Sequence, residues 1–339
     1  MNPKDPSNFR SFLLDFPNQF EVGFKLAEGI KIEGEFNKMV VSGMGGSALP
    51  VNLLQSYLAD YYSKNHELEP VLLDVNRTYS LPPVSYHSCL NVISSYSGTT
   101  EETISCFNEA LENNLPVIGI SSGGKIEEIC KEKAIPHVKL PIPFDNFQPR
   151  VGTGYFFSVF YKLMVNHNLI KDNSIQILDD SKKLGENLTR FEESGKALSE
   201  NLKGKTPIIY APAKYASVAM VSKIVINENS KTPAFWNYFP ELNHNEMIGY
   251  TNPQGGFVTV MIKDHEDNKR NQKRYEITKS VINEKGIESV IVEMENGSAF
   301  YKIFSTILIM AFASYYLALS YDQDPTPVEM VERFKKLLD

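Results

Sequence analysis

At 339 residues the chain is long enough for two domains of ordinary size, and 42% hydrophobic with 22% charged residues describes a folded protein rather than a disordered one. A formal net charge of −7 argues against a broad nucleic-acid-binding face. It does not argue against a small anionic ligand, because local backbone dipoles can hold a phosphate whatever the global charge.

The first residues, Met1 to Arg10, are polar and lack a signal-peptide pattern, which predicts a cytoplasmic protein. A helix is expected near Asn8–Glu28, then a strand at Lys38–Ser42 and a helix at Ser47–Tyr61. Strands follow at Val71–Asp74 and Leu90–Ser95, then a helix at Thr100–Asn113, a strand at Val117–Ser121, a short helix and a strand at Val138–Leu140. Cys89, Cys106 and Cys130 are widely spaced with no CxxC pairing, so they read as reduced thiols with no disulfide and no structural zinc. Pro141, Pro143 and Pro149 mark a linker over Pro141–Pro149.

A second round of similar elements begins there. Helices are expected at Gly154–Asn166, Ser174–Leu202, Ala216–Asn229, His265–Asn283 and Ser298–Tyr321. Strands are expected at Pro207–Tyr210, Ala234–Tyr238, Phe257–Ile262 and Ser289–Val292. Ile303–Tyr321 carries no charge over nearly the length of a membrane span, but Ser305, Thr306, Ser314 and Ser320 favour a buried core helix. The alternation predicts an α/β protein of two halves, 1–149 and 150–339, each a mainly parallel sheet flanked by helices.

Two loops suit a phosphate. Gly43-Met44-Gly45-Gly46-Ser47 lies between a strand and a helix, where glycines let the backbone approach a ligand and the helix start offers free N–H groups. Gly43, Gly45 and Ala48 also fit dinucleotide spacing, with Asp74 taken as the end of the next strand; a nicotinamide-dependent dehydrogenase is therefore a competing reading. The second loop, Ser95-Tyr96-Ser97-Gly98-Thr99-Thr100, sets several hydroxyls at another strand end and lacks the lysine of a triphosphate site. A Thr99/Glu102 capping box would account for part of it without a ligand. The turn Ser121-Ser122-Gly123-Gly124 is expected to be only a turn.

These loops resemble those of sugar isomerase domains, and more narrowly the bifunctional phosphoglucose/phosphomannose isomerases. Two downstream segments carry the resemblance further: Asn227-Glu228-Asn229-Ser230-Lys231 and Pro240-Glu241-Leu242-Asn243-His244-Asn245. On residues alone, Glu228 sits at the negative end of an apolar helix, and either a proton shuttle or a surface acid paired with Lys231 fits it. The resemblance implies interconversion of glucose 6-phosphate and fructose 6-phosphate through a cis-enediol, with Glu228 as the C1/C2 proton shuttle. It implies His244 as the ring opener, supplied by the neighbouring subunit of a homodimer. Arg150 would stabilise the enediolate, and Lys335, with Lys336 as the fallback, would assist ring opening from the closing helix Val331–Leu337. Gly45, Gly46, Ser47, Ser95, Ser97 and Thr100 would hold the phosphate.

Glu241 and Glu246 read as positioning or surface acids. The family usually has Asn where this chain has Thr99, and some members have a threonine seven residues before the closing lysine, a position held here by Val328 with Thr326 nearby. Glucose 6-phosphate use is therefore implied more directly than mannose 6-phosphate use. No metal or other cofactor is expected, since the 6 histidines show no HxH or HExxH spacing. A non-catalytic sugar-phosphate-binding regulator is the other alternative.

Overall fold

Pro17 interrupts the first expected helix. It lacks an N–H, so α1 (Phe9–Asp15) stops, a 3-10 turn covers Phe16–Asn18, and α2 (Gln19–Leu26) restarts. The computed structural model describes residues 3–144 and 147–338; residues 145–146 of the expected linker lie outside these.

The described chain forms two compact units, Asp15–Lys182 on one hand and Met1–Leu14 with Lys183–Asp339 on the other. This division falls at 182/183, within α7 (Ser174–Glu186), whereas the expected join was at 149/150. The reason is packing: α6 (Thr153–Asn166) lies against α2, where Gly23 leaves room for the Tyr155 backbone and Ser158. The expected helix Ser174–Leu202 is also divided, into α7 and α8 (Leu188–Leu202), at Asn187, whose backbone (φ −105, ψ 5) leaves the helical region.

In the 15–182 unit, β1 (Lys38–Gly43), β2 (Leu72–Asn76), β3 (Cys89–Ser94), β4 (Val117–Ser121) and β5 (His137–Lys139) form a parallel sheet in the order β2-β1-β3-β4-β5. Helices α3 (Leu49–Lys64), α4 (Glu101–Glu112) and α5 (Gly124–Lys133) are the crossovers. Every residue of β3 and β4 is buried, as expected for central strands covered on both faces, and in β3 this includes the polar Asn91 and Ser94. The chain leaves β1 for one side of the sheet and returns to β3 on the other. That reversal opens a crevice at the C-terminal ends of β1 and β3. All three cysteines are free and buried, and burial holds the Cys89 and Cys130 thiols up at about 11.

The other unit repeats the pattern with β6 (Thr206–Pro212), β7 (Phe235–Phe239), β8 (Phe257–Lys263) and β9 (Glu288–Glu293), parallel and ordered β7-β6-β8-β9. Helices α9 (Ala216–Ser230), α10 (Lys269–Asn283) and α11 (Ala299–Ser320) complete it. The long apolar α11 is a core helix here: it is buried along nearly its whole length, and Gly195 of α8 lies against Phe312 and the Ile309 carbonyl. The N-terminal segment belongs to this unit because Tyr315 donates to Asp5 (3.0 Å) and Arg10 grips Glu192 with two hydrogen bonds (2.5 and 2.6 Å). The last helix, α12 (Glu329–Leu338), buries no residue, and Met330, Phe334 and Leu337 are exposed along it.

Candidate active site

Both predicted phosphate loops sit at the crevice of the first sheet. After β1, Gly45 adopts φ +49, and a 3-10 turn over Gly45–Ser47 leads into α3. Gly43 must be glycine, since a Cβ there would lie 2.5 Å from the Ser94 carbonyl oxygen at the end of β3. Ser47 is buried and ties the two loops together: its Oγ accepts from the Tyr96 N–H (2.9 Å), and its carbonyl accepts from Ser94 Oγ (2.8 Å). Gly46 packs on the Pro149–Arg150 turn, its absent Cβ leaving 2.7 Å to the Arg150 nitrogen. Arg150 is thereby brought beside the glycine loop, and it is buried.

The second loop is a web of hydroxyls. Ser95 Oγ lies 2.8 Å from Thr100 Oγ1 and 3.4 Å from Ser97 Oγ, and it accepts from the Gly98 N–H (3.2 Å). Thr99 donates its hydroxyl to Ser97 Oγ (3.0 Å). The expected Thr99/Glu102 capping box does not form: Thr100 is the N-cap of α4, and its side chain makes no capping bond. The start of α4 therefore keeps N–H groups and the positive end of its dipole available to an anion.

The turn expected to be only a turn has a larger part. Ser122 donates both its N–H (2.8 Å) and its hydroxyl (2.7 Å) to the Tyr96 carbonyl, and the Ile126 N–H bonds the Gly98 carbonyl (3.1 Å). Gly98 (φ +70) and Gly124 (φ +68) let the two backbones touch, since a Cβ on Gly98 would collide with the Gly123 carbonyl oxygen. The paired glycines after β4 were the available signal, but their contact partner lies in a distant loop.

Asp74, the acid of the dinucleotide reading, is not at a strand end. It occupies the middle of β2, which runs on to Asn76, and the Asn76 amide donates to Ser42 Oγ (3.1 Å) and the Ser80 carbonyl (2.9 Å). The strand end is thus occupied by an internal network, and the dehydrogenase pattern lacks its acid.

The remaining candidates lie in the other unit. Glu228 is half-buried in the last turn of α9. Its neighbours hold that turn: Asn227 donates to the Thr232 carbonyl (2.8 Å), Asn229 to Ser314 Oγ (2.9 Å) and Ser230 to the Ser314 carbonyl (2.7 Å). Lys231 (φ +55) donates to the Glu228 carbonyl (2.6 Å) and closes the helix. His244 is exposed at the end of a 3-10 turn, Glu241–His244, with no hydrogen-bond partner for its imidazole among the described residues. Lys335 is exposed on α12 and pairs with Glu332 at 2.9 Å. Thr326 is buried and Val328 half-buried.

With this geometry in place, comparison with known proteins is decisive. A bifunctional phosphoglucose/phosphomannose isomerase of Caldicellulosiruptor bescii is 36% identical over 332 residues, covering 94% of each chain. The chain belongs to that family. A bifunctional phosphoglucose/phosphomannose isomerase of Aquifex aeolicus is 32% identical over 305 residues, 89% of this chain and 91% of its own. Residues 191–338 match the bacterial phospho-glucose isomerase C-terminal SIS domain. A crystal structure of a hypothetical protein from Thermus thermophilus superposes with a TM-score of 0.75 over 96% of this chain and 88% of that one, at 11% identity, and so speaks to the fold alone. In this member of the phosphoglucose/phosphomannose isomerase family, Asn227–Lys231 is a well-tied helix end that carries the half-buried Glu228.

Proposed function

We propose that this chain interconverts glucose 6-phosphate and mannose 6-phosphate with fructose 6-phosphate in the cytoplasm, as a homodimer. The observation that carries the reading is the convergence of Gly45–Ser47 and Ser95–Thr100 at the ends of β1 and β3, beside the start of α4. The phosphate is held by the Gly45 and Gly46 backbone, the hydroxyls of Ser47, Ser95, Ser97 and Thr100, and the helix dipole. Ser47 Oγ accepts from Tyr96 and keeps its own proton to donate.

The Glu228 carboxylate takes the proton from C2 of the open-chain aldose and returns it at C1, while the O2 proton passes to O1. The enediolate between these steps is planar at C2, so protonation from either face explains how one site reaches both epimers. Arg150 offsets the developing oxyanion charge; a fixed donor in this role contributes roughly 3 kcal/mol. His244 of one subunit opens the ring bound to the other, assisted by Lys335.

Incubation with fructose 6-phosphate in deuterated water, followed by NMR, tests the chemistry. Aldose products carrying deuterium at C2, to the extent that the Glu228 carboxyl proton exchanges with solvent between the two steps, are the expected result; binding with neither aldose formed would instead describe a regulator. Glu228→Gln keeps sugar-phosphate binding and loses on the order of 10²–10⁴ in turnover. Near-normal activity in that variant would remove Glu228 from the mechanism.

A further inference from the structure

The segment carrying His244 is itself neither a strand nor a long helix. It runs through two 3-10 turns, Glu241–His244 and Glu246–Thr251, with Asn245 between them. Two buried side chains, Leu242 and Tyr250, plug its ends into the core formed by Ile208, Phe239, Met261 and Tyr275. Those plugs keep the segment attached. They do not orient the imidazole, which is exposed and has no hydrogen-bond partner among the described residues.

Orientation comes from polar contacts on both sides of His244. Asn243 donates to Thr278 Oγ1 of α10 (2.8 Å) and accepts from Arg274 (3.2 Å). Asn245 accepts from the Glu246 N–H (2.6 Å) and donates to Glu241 (2.5 Å). Glu246 joins this segment to the sheet. One carboxylate oxygen accepts from the Tyr210 hydroxyl of β6 (2.6 Å), the other from the Asn237 amide of β7, and the Tyr210 and Tyr250 hydroxyls bond each other. A half-buried carboxylate with a donor on each oxygen is a fixed point, and it lies two positions from the imidazole.

We infer that Glu246 is a positioning residue for His244, locking the segment from which the imidazole opens the sugar ring. The inference rests on the ring-opening role proposed above for His244. It makes a prediction that a purely structural anchor does not: loss of Glu246 matters only when there is a ring to open.

Two substrates separate the cases. Glucose 6-phosphate is mostly cyclic, whereas a tetrose 4-phosphate is too short to close a ring and enters the isomerisation step directly. Glu246→Ala is expected to lower kcat/KM on glucose 6-phosphate roughly tenfold or more, and to leave the tetrose phosphate within about twofold. Glu246→Gln, which still accepts one of the two hydrogen bonds, recovers part of the loss. Tyr210→Phe, which keeps the buried ring and removes one donor, shows the same selectivity at smaller size and stands in if Glu246→Ala does not fold. Equal losses on both substrates, or no loss on either, would overturn the inference. His244→Ala is the control on the underlying reading: if it lowers both substrates equally, the ring-opening role itself falls. A selective His244→Ala beside unselective Glu246 variants removes only the positioning role.

Discussion

Single glycines decide how closely the phosphate loops approach. Gly98 holds a positive φ and touches the Gly123 carbonyl, so any side chain there meets both a backbone penalty and a collision. Gly98→Ala is expected to raise KM for sugar phosphates roughly tenfold or more, by pushing Ser97 and Thr99 out of register with Ser95. An unchanged KM measured by initial rates would mean that the loop is not the phosphate cradle. The hydroxyl-rich loop was legible in the sequence, because its residue types have few other uses at a strand end. Its backing by Ser122, Gly123 and Gly124 was not, since that contact joins segments separated by a whole helix. The loop motif marks Ser47 as a ligand only; its second task, clamping Tyr96, depends on a distance that no motif encodes.

Among the elements, boundaries followed local chemistry where that chemistry was strong. Pro17 ended α1, and the largely apolar segments of β3 and β4 became strands buried at every position. Asn187, an ordinary residue for a helix, marked a break that only its backbone angles reveal. The pairing of α1 with α8 was equally hidden, and it carries a pH signature. Burial opposes the charge on Glu192, yet the hydrogen bonds from Arg10 and Tyr316 outweigh it and hold its carboxyl below the ordinary value of 4.5. A depressed carboxyl stabilises the fold above its unfolded pKa, and the contribution disappears as the pH falls through the folded one. Glu192→Gln should therefore cost roughly 1–3 kcal/mol in urea unfolding at pH 7, and clearly less at pH 3.5. A difference that persists at low pH would show that the charge is not what holds α1.

At the level of the whole molecule, the proposed dimer has a direct test. If His244 serves the site of its partner, chains carrying Glu228→Gln and chains carrying His244→Ala are each inactive alone. Mixed and allowed to exchange, they form heterodimers with one intact site in two, giving about a quarter of the normal activity for random pairing. No recovery, with exchange verified by mass spectrometry, would place His244 and Glu228 in service of the same chain's site. The sequence by itself determined the α/β class, the order of the elements, the two strand-end loops and the family, because periodicity and short motifs are local properties of the chain. Tertiary structure decided that residues 1–14 fold with 183–339, that Asp74 lies mid-strand, and that Gly46 seats Arg150. Each of these depends on which distant surfaces pack together, and packing is settled by shape and burial across the chain, which no window of neighbouring residues contains.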